Sequence, residues 1–131
     1  MSVSTAPTLG VSFGTAISLG FSKYFTFTGR ASRSQYWYLV LFNIICAFVA
    51  SFIDALVGVG LLSAVSFLAF FFPLLSTLVR RLHDTGRSGW WYLLVLTIIG
   101  ALVILIWTIT EGDPGENKYG AGPVTAAPLP A

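Results

Sequence analysis

Three long stretches of the chain carry no Lys, Arg, Asp or Glu. Tyr36 to Ile53 is 18 residues interrupted only by Asn43, Cys46 and small residues, Val57 to Val79 is 23 residues, and Trp90 to Thr108 is 19. About 20 apolar residues at 1.5 Å each cross a ~30 Å hydrocarbon core. A helix crosses it alone because each turn satisfies its own backbone hydrogen bonds. The pattern therefore predicts helical spans at about 36–55, 59–79 and 89–108. The third run holds eleven Leu, Ile, Phe and Val. At roughly −0.3 to −0.6 kcal/mol each, they favour insertion by about 3 to 7 kcal/mol. One Arg at the centre would cancel about half of that, so Arg80, Arg81 and Arg87 belong at a membrane edge.

A shorter pattern precedes the spans. Phe13, Ile17, Phe21, Tyr24 and Phe25 recur at helical spacing within 9–25. That segment is too short to span, and it predicts an amphipathic helix on the inner surface. Asp54, with Gly58 and Gly60, predicts a short outer turn. After Thr108 the turn-formers EGDPGENKYGAGP predict a turn-rich tail over 111–123. Residues 1–8 and the Ala/Pro-rich 124–131 are expected to be disordered. The expected fold is thus all-α: one integral membrane domain over 9–123, with three transmembrane helices and an N-terminal interfacial helix.

Composition supports the membrane class. The chain is 56% hydrophobic and 9% charged, with a mean hydropathy of +0.84. A soluble domain is about a quarter charged, so these charges are too few to cover a water-facing surface. The net charge of +2 is small and clustered, which argues against nucleic acid as a partner. A single Cys excludes an internal disulfide, and Cys46 in its apolar run reads as a small buried hydrophobe. The first 22 residues contain no Lys or Arg, so no cleaved secretory signal is expected.

Charge sets an orientation. Lys23, Arg30 and Arg33 precede the first run, and Arg80, Arg81 and Arg87 lie between the second and third. With three spans these two regions share a side, and only Lys118 lies opposite. Asp54, Glu111, Asp113 and Glu116 lean the other way, against Asp84 alone. The positive-inside rule then predicts a multi-pass protein of the plasma (inner) membrane, N-terminus cytoplasmic and C-terminus external.

The same device precedes two of the runs. GRASRSQYWYLV (29–40) and GRSGWWYLLV (86–95) each place Gly-Arg and a Ser before an aromatic cluster. Ser32 and Gln35 have capping-box spacing, and Ser88 is positioned to cap alone. Tyr36, Trp37, Trp90 and Trp91, with Tyr38 and Tyr92, suit headgroup depth as interface anchors. The neighbouring Arg residues would reach lipid phosphates. Arg80 and Arg81 end the second helix, where cations complement its negative pole. Asp84-Thr85-Gly86 then makes a tight turn.

Taken together, RRLHDTGRSGWW (80–91), GRASRSQYW (29–37) and GENKYGAGP (115–123) resemble the domain-of-unknown-function family 805, small bacterial inner-membrane proteins. The resemblance covers roughly residues 13–123, and its most specific part is RRLHD-x-x-x-SGWW. Two departures are minor. Gln35 stands where members often carry an acid, and Ala121-Gly122 loosens the usual Tyr-Gly-Pro ending. The resemblance implies a membrane location and a fold type, and no activity.

Within the runs, small and polar residues fall on one face. Asn43, Ala47, Ser51 and Asp54 mark the first, Ser63, Ser66, Ala69, Pro73, Ser76 and Arg80 the second, and Thr97, Ala101 and Thr108 the third. Such a stripe packs helices closely or joins copies of a chain. It could instead line a path for an ion or small solute. Pro73, beside Phe70, Phe71 and Phe72, is a candidate kink.

Catalytic readings of the charged loop are weak. Asp84-Thr85-Gly86 matches the aspartic-protease triplet, but that chemistry pairs two carboxylates. One His cannot assemble a metal site. His83 has a pKa range suited to acid–base work, but the sequence supports no Ser-His-Asp geometry around it. Glu111, Asp113 and Glu116 lack the pattern of a calcium loop. No catalytic residue, metal or cofactor is expected. A hydrogen-bonded hub fits better, in which Asp84 pairs with Arg30, Arg80, Arg81 or Arg87 and His83 orders the turn. With Arg33, the remaining guanidinium groups would grip anionic headgroups or a partner's acidic surface. The expected function is a non-enzymatic interaction or scaffold module of the inner membrane, binding itself, other membrane proteins or anionic lipid. The alternative is a small transporter or channel component that uses the polar stripe.

Overall fold

A computed structural model describes residues 11–122, and the segments expected to be disordered, 1–8 and 124–131, lie outside them. Within that range the chain is all-helical, with no strand apart from one isolated bridge between Asn117 and Gly120. Helix α1 spans Phe13–Ser22, α2 Arg33–Val57 and α3 Leu61–Asp84. A 3₁₀ helix follows at Gly89–Leu96, and α4 at Ile98–Ile109.

Helices α2 and α3 are long and apolar enough to cross a membrane. They start and turn as the residues dictate. The Ser32 hydroxyl accepts from the Gln35 amide at 3.2 Å and opens α2. Gly58 ends it in the left-handed conformation, at φ 81°. Asp54, in the last turn of α2, caps the next helix, accepting from the amides of Leu62 at 3.1 Å and Ser63 at 2.8 Å. Outward-facing Phe48, Phe52, Leu56, Phe67 and Leu68 are exposed, which suits a lipid-facing pair.

Pro73 sits buried inside α3 and has no amide to offer Ala69. The Tyr24 hydroxyl fills that vacancy, donating to the Ala69 carbonyl at 3.1 Å. Helix α1 is shorter than the segment predicted for it, and Tyr24 and Phe25 lie beyond its end. Phe13 packs edge-on against Tyr38 and Phe42, and Phe21 against Phe70. Gly20 lies so close to Leu39 that a Cβ would stand 2.9 Å from its side chain. The aromatic residues expected to form the apolar face of an interfacial helix thus pack in part on α2 and α3.

The third apolar run departs most from expectation. It is broken at Thr97, whose backbone is extended at φ −117° and ψ 152°. The Thr97 hydroxyl accepts from the Gly100 amide at 2.9 Å and donates to the Leu94 carbonyl at 3.0 Å, closing one element and opening the next. Gly100 permits the reversal, because a Cβ there would collide with the Leu94 carbonyl. The chain then runs back. Trp91 and Trp107 touch, with ring centroids 5.8 Å apart, whereas 16 residues of continuous α-helix would separate them by about 24 Å. The two arms rise about 16 Å and about 18 Å, each near half a ~30 Å core. The segment 89–108 is therefore a helical hairpin, where one continuous helix was expected.

That correction moves the tail. Trp37 Nε1 donates to the Thr108 carbonyl at 3.1 Å, and Arg33 Nη1 to Ile109 at 3.4 Å. The end of α4 thus meets the start of α2. Arg30 Nη1 also reaches the Gly115 carbonyl at 2.5 Å, so the segment before α2 and the described tail meet at one end of the helices.

Candidate functional site: a buried arginine–aspartate hub

Three arginines and one aspartate occupy the end of the bundle where α3 stops. Arg30 precedes α2, Arg80 and Arg81 lie in the last turns of α3, and Asp84 closes that helix. All four are buried. Arg30 Nε donates to Asp84 Oδ1 at 2.8 Å, and Arg81 Nη1 to Asp84 Oδ2 at 2.5 Å. One carboxylate therefore bridges two guanidinium groups. A buried charge is tolerated only when paired and further hydrogen-bonded, and carbonyls supply the rest. Arg30 Nη2 reaches the Asp113 carbonyl at 2.6 Å. Arg81 Nε reaches the Thr108 carbonyl at 3.1 Å and Nη1 the Ala31 carbonyl at 3.3 Å, while Nη2 donates to Thr110.

The tail completes the end of α3. The last carbonyls of a helix have no partners within it. Here Asp113 donates its amide to the Asp84 carbonyl at 2.7 Å. Asn117 Nδ2 donates to the His83 carbonyl at 2.9 Å, and Arg87 donates its amide to the Leu82 carbonyl at 2.9 Å. Tyr119 stacks on the His83 imidazole, with centroids 4.0 Å apart and planes within 5°. His83 Nδ1 lies 3.0 Å from the Gly29 carbonyl. Gly112 is required because a Cβ would collide with the Asp84 carboxylate. At Gly86 φ is 76°, which the turn after Asp84 demands of a glycine.

The predicted site residues thus separate into groups. Arg30, Arg81, Asp84 and His83 come together, but inside the protein. Arg30 and Arg81 commit donors to Asp84 and to carbonyls, the pairing expected of Asp84. Arg80 is buried as well, donating to the Ser76 carbonyl at 3.3 Å and to Thr77 Oγ1 at 3.0 Å. Arg33 is exposed and Arg87 half-buried, the latter over the Trp107 ring at 4.2 Å. Of the aromatic anchors, Trp90 and Trp91 are exposed, while Tyr36 and Trp37 are half-buried. Ser88 caps the 3₁₀ helix by accepting from the Trp90 amide at 3.3 Å.

The polar stripe is not continuous. Ser51 and Ser63 oxygens lie 3.4 Å apart beside Asp54, and Ser76 donates to the Lys23 carbonyl at 3.3 Å. Ser66 is half-buried on α3. Thr97 is exposed at the hairpin tip and joins no interhelical row. Asn43 lines a groove of about 400 Å³ between α2 and α3 that is otherwise almost wholly apolar.

Sequence reasoning missed the tail's part in the hub. The signal was present in its polar residues: Asp113, Asn117 and Tyr119 are what a buried helix end needs, and solvated turns do not require them.

Two helices apolar enough to cross a membrane, with a charged end closed by the tail, define a small helical membrane protein. The chain belongs to the family described as protein of unknown function DUF805, whose pattern matches residues 24–121. It is 41% identical over 108 residues to "Inner membrane protein YhaH" of Escherichia coli strain K12, covering 77% of this chain and 89% of that protein. It is 45% identical over 104 residues to "Inner membrane protein YhaI" of the same strain, covering 77% and 88%. No solved structure matches it.

Proposed function

We propose that this chain is a non-enzymatic module of the bacterial inner membrane, with both described ends in the cytoplasm, that associates with anionic lipid, with itself or with other membrane proteins. The observation that carries this reading is where the charge sits. All seven Lys and Arg gather toward one end of the α2–α3 pair: Lys23 beside Ser76, Arg30, Arg80 and Arg81 in the hub, Arg33, Arg87 and Lys118 around it. Asp54 is alone at the other end. The positive-inside rule makes the crowded end cytoplasmic, and the names of the relatives support the inner membrane.

The buried cations hold the tail on the bundle. The outer ones, Arg33 and Arg87, flank Trp37, Trp91 and Trp107, make no ion pair among the described residues, and would hold phosphate oxygens at the membrane face. The non-enzymatic reading is supported by the cover over His83 and Asp84, since Tyr119 stacks on one and Gly112 closes over the other. Transport along the polar stripe has less support, since Ser51, Ser63 and Asp54 bond to one another and the groove at Asn43 is apolar.

The test is thermal stability of the detergent-purified chain with added phosphatidylglycerol or phosphatidylcholine. Phosphatidylglycerol is expected to raise the midpoint more, and Arg33→Gln with Arg87→Gln to remove the difference. Equal response to both lipids would overturn the lipid arm. Cysteines placed at Thr28 and at Lys118 should label from the same side of sealed inverted vesicles, and one at Val59 from the opposite side. Opposite labelling at Thr28 and Lys118 would overturn the orientation.

A further inference from the structure

We infer that the groove at Asn43 is the seat of a second copy of this chain, with the two Asn43 carboxamides paired across a twofold axis. This rests on the self-association part of the reading above and names its site. The groove runs between Tyr36, Val40 and Asn43 on α2 and Phe71, Leu74 and Leu78 on α3, encloses about 400 Å³ and opens sideways. Asn43 lies six residues beyond Trp37, about 9 Å deeper along the helix. At that depth there is no water. Further along α2 the polar side chains are engaged within the chain, Ser51 with Ser63 and Asp54 with two amides. Asn43 is half-buried and makes no hydrogen bond among the described residues. An amide left unpaired in hydrocarbon is costly.

The occupant must fill an apolar volume and also pair with the Asn43 carboxamide on its lining. A lipid acyl chain does the first and cannot do the second. A carboxamide carries both donor and acceptor, so two related by a twofold axis satisfy each other, and an isologous contact brings like residues together. Ala47, one turn further along α2, is exposed and small, which lets a second helix approach closely. Phe67 and Phe71, on the rim, are 66% and 47% exposed and supply the ridge that the partner groove receives.

The test is resonance energy transfer between two labelled pools of the full chain, reconstituted in vesicles across a range of protein-to-lipid ratios. Wild type is expected to associate. Asn43→Leu should weaken association on the order of tenfold, and Asn43→Gln, which keeps the carboxamide, should recover part of it. Ala47→Leu should weaken association by obstructing close approach. In a Cys46→Ser background, Asn43→Cys should oxidise to a disulfide dimer in native membranes, and Phe52→Cys, on the opposite face of α2, should not. Equal association of wild type and Asn43→Leu, or equal crosslinking from both cysteine positions, would overturn the inference. If association is absent while the phosphatidylglycerol response at Arg33 and Arg87 persists, this inference falls and the broader reading stands. Loss of that response with the dimer intact has the reverse meaning.

Discussion

Replacing Asp84 by Asn removes one charge and almost no volume, so it isolates what the carboxylate does in the hub. In the structure that carboxylate is 6% exposed and faces guanidinium groups that are 1% and 0% exposed, at 2.8 and 2.5 Å. Removing one partner of a buried ion pair costs about 3–5 kcal/mol, because the charge left behind stays desolvated. Here one anion serves two cations, but Asn keeps one acceptor oxygen and both arginines keep carbonyl partners. The lower end, about 3 kcal/mol, is therefore expected. Against a total stability of about 5–15 kcal/mol this is large, and it corresponds to a fall in Tm on the order of 10 °C. The assay is helical circular dichroism of the detergent-solubilised chain on heating, with limited proteolysis of the tail in parallel. Because Asp84 accepts Arg30, which also holds Gly115 and Asp113, the tail should become cleavable below the global midpoint. An unchanged midpoint with an equally protected tail would refute the reasoning, since the arginines would then not depend on that charge.

Two further substitutions probe the other joints. Tyr24→Phe leaves the Ala69 carbonyl opposite Pro73 without its donor and should cost roughly 1–3 kcal/mol in the same melting assay, with helix content unchanged at low temperature. Gly100→Ala drives a methyl group into the Leu94 carbonyl at the hairpin tip. It should cost about 1–3 kcal/mol and reduce the quenching of Trp91 and Trp107 by each other, whereas Gly14→Ala, in open space on α1, should do neither.

Much of the architecture was legible because lipid imposes a simple rule. A chain that is 56% hydrophobic, with uncharged runs near 20 residues, must place those runs in hydrocarbon as helices. Ser32 as a cap, the turn at Gly86 and the ion pairing of Asp84 also followed from local chemistry, since capping and charge pairing act within a few residues or have few possible partners. The run 90–108 misled because insertion energy counts apolar residues and is blind to direction. Eleven Leu, Ile, Phe and Val favour burial in lipid equally whether the segment crosses or doubles back. Thr97 and Gly100 decided between the two, one as a cap and one as the residue without a Cβ. Their effect shows only once the arms are packed.

What residues alone determined, then, is the solvent, the helical class and the clustering of charge, all properties that sum along a chain. What tertiary structure alone decided is that the tail returns to the end of the bundle where α2 begins. Buried arginines need carbonyls, the last turn of α3 has carbonyls without donors, and only a hairpin brings Asp113, Asn117 and Tyr119 within reach of both.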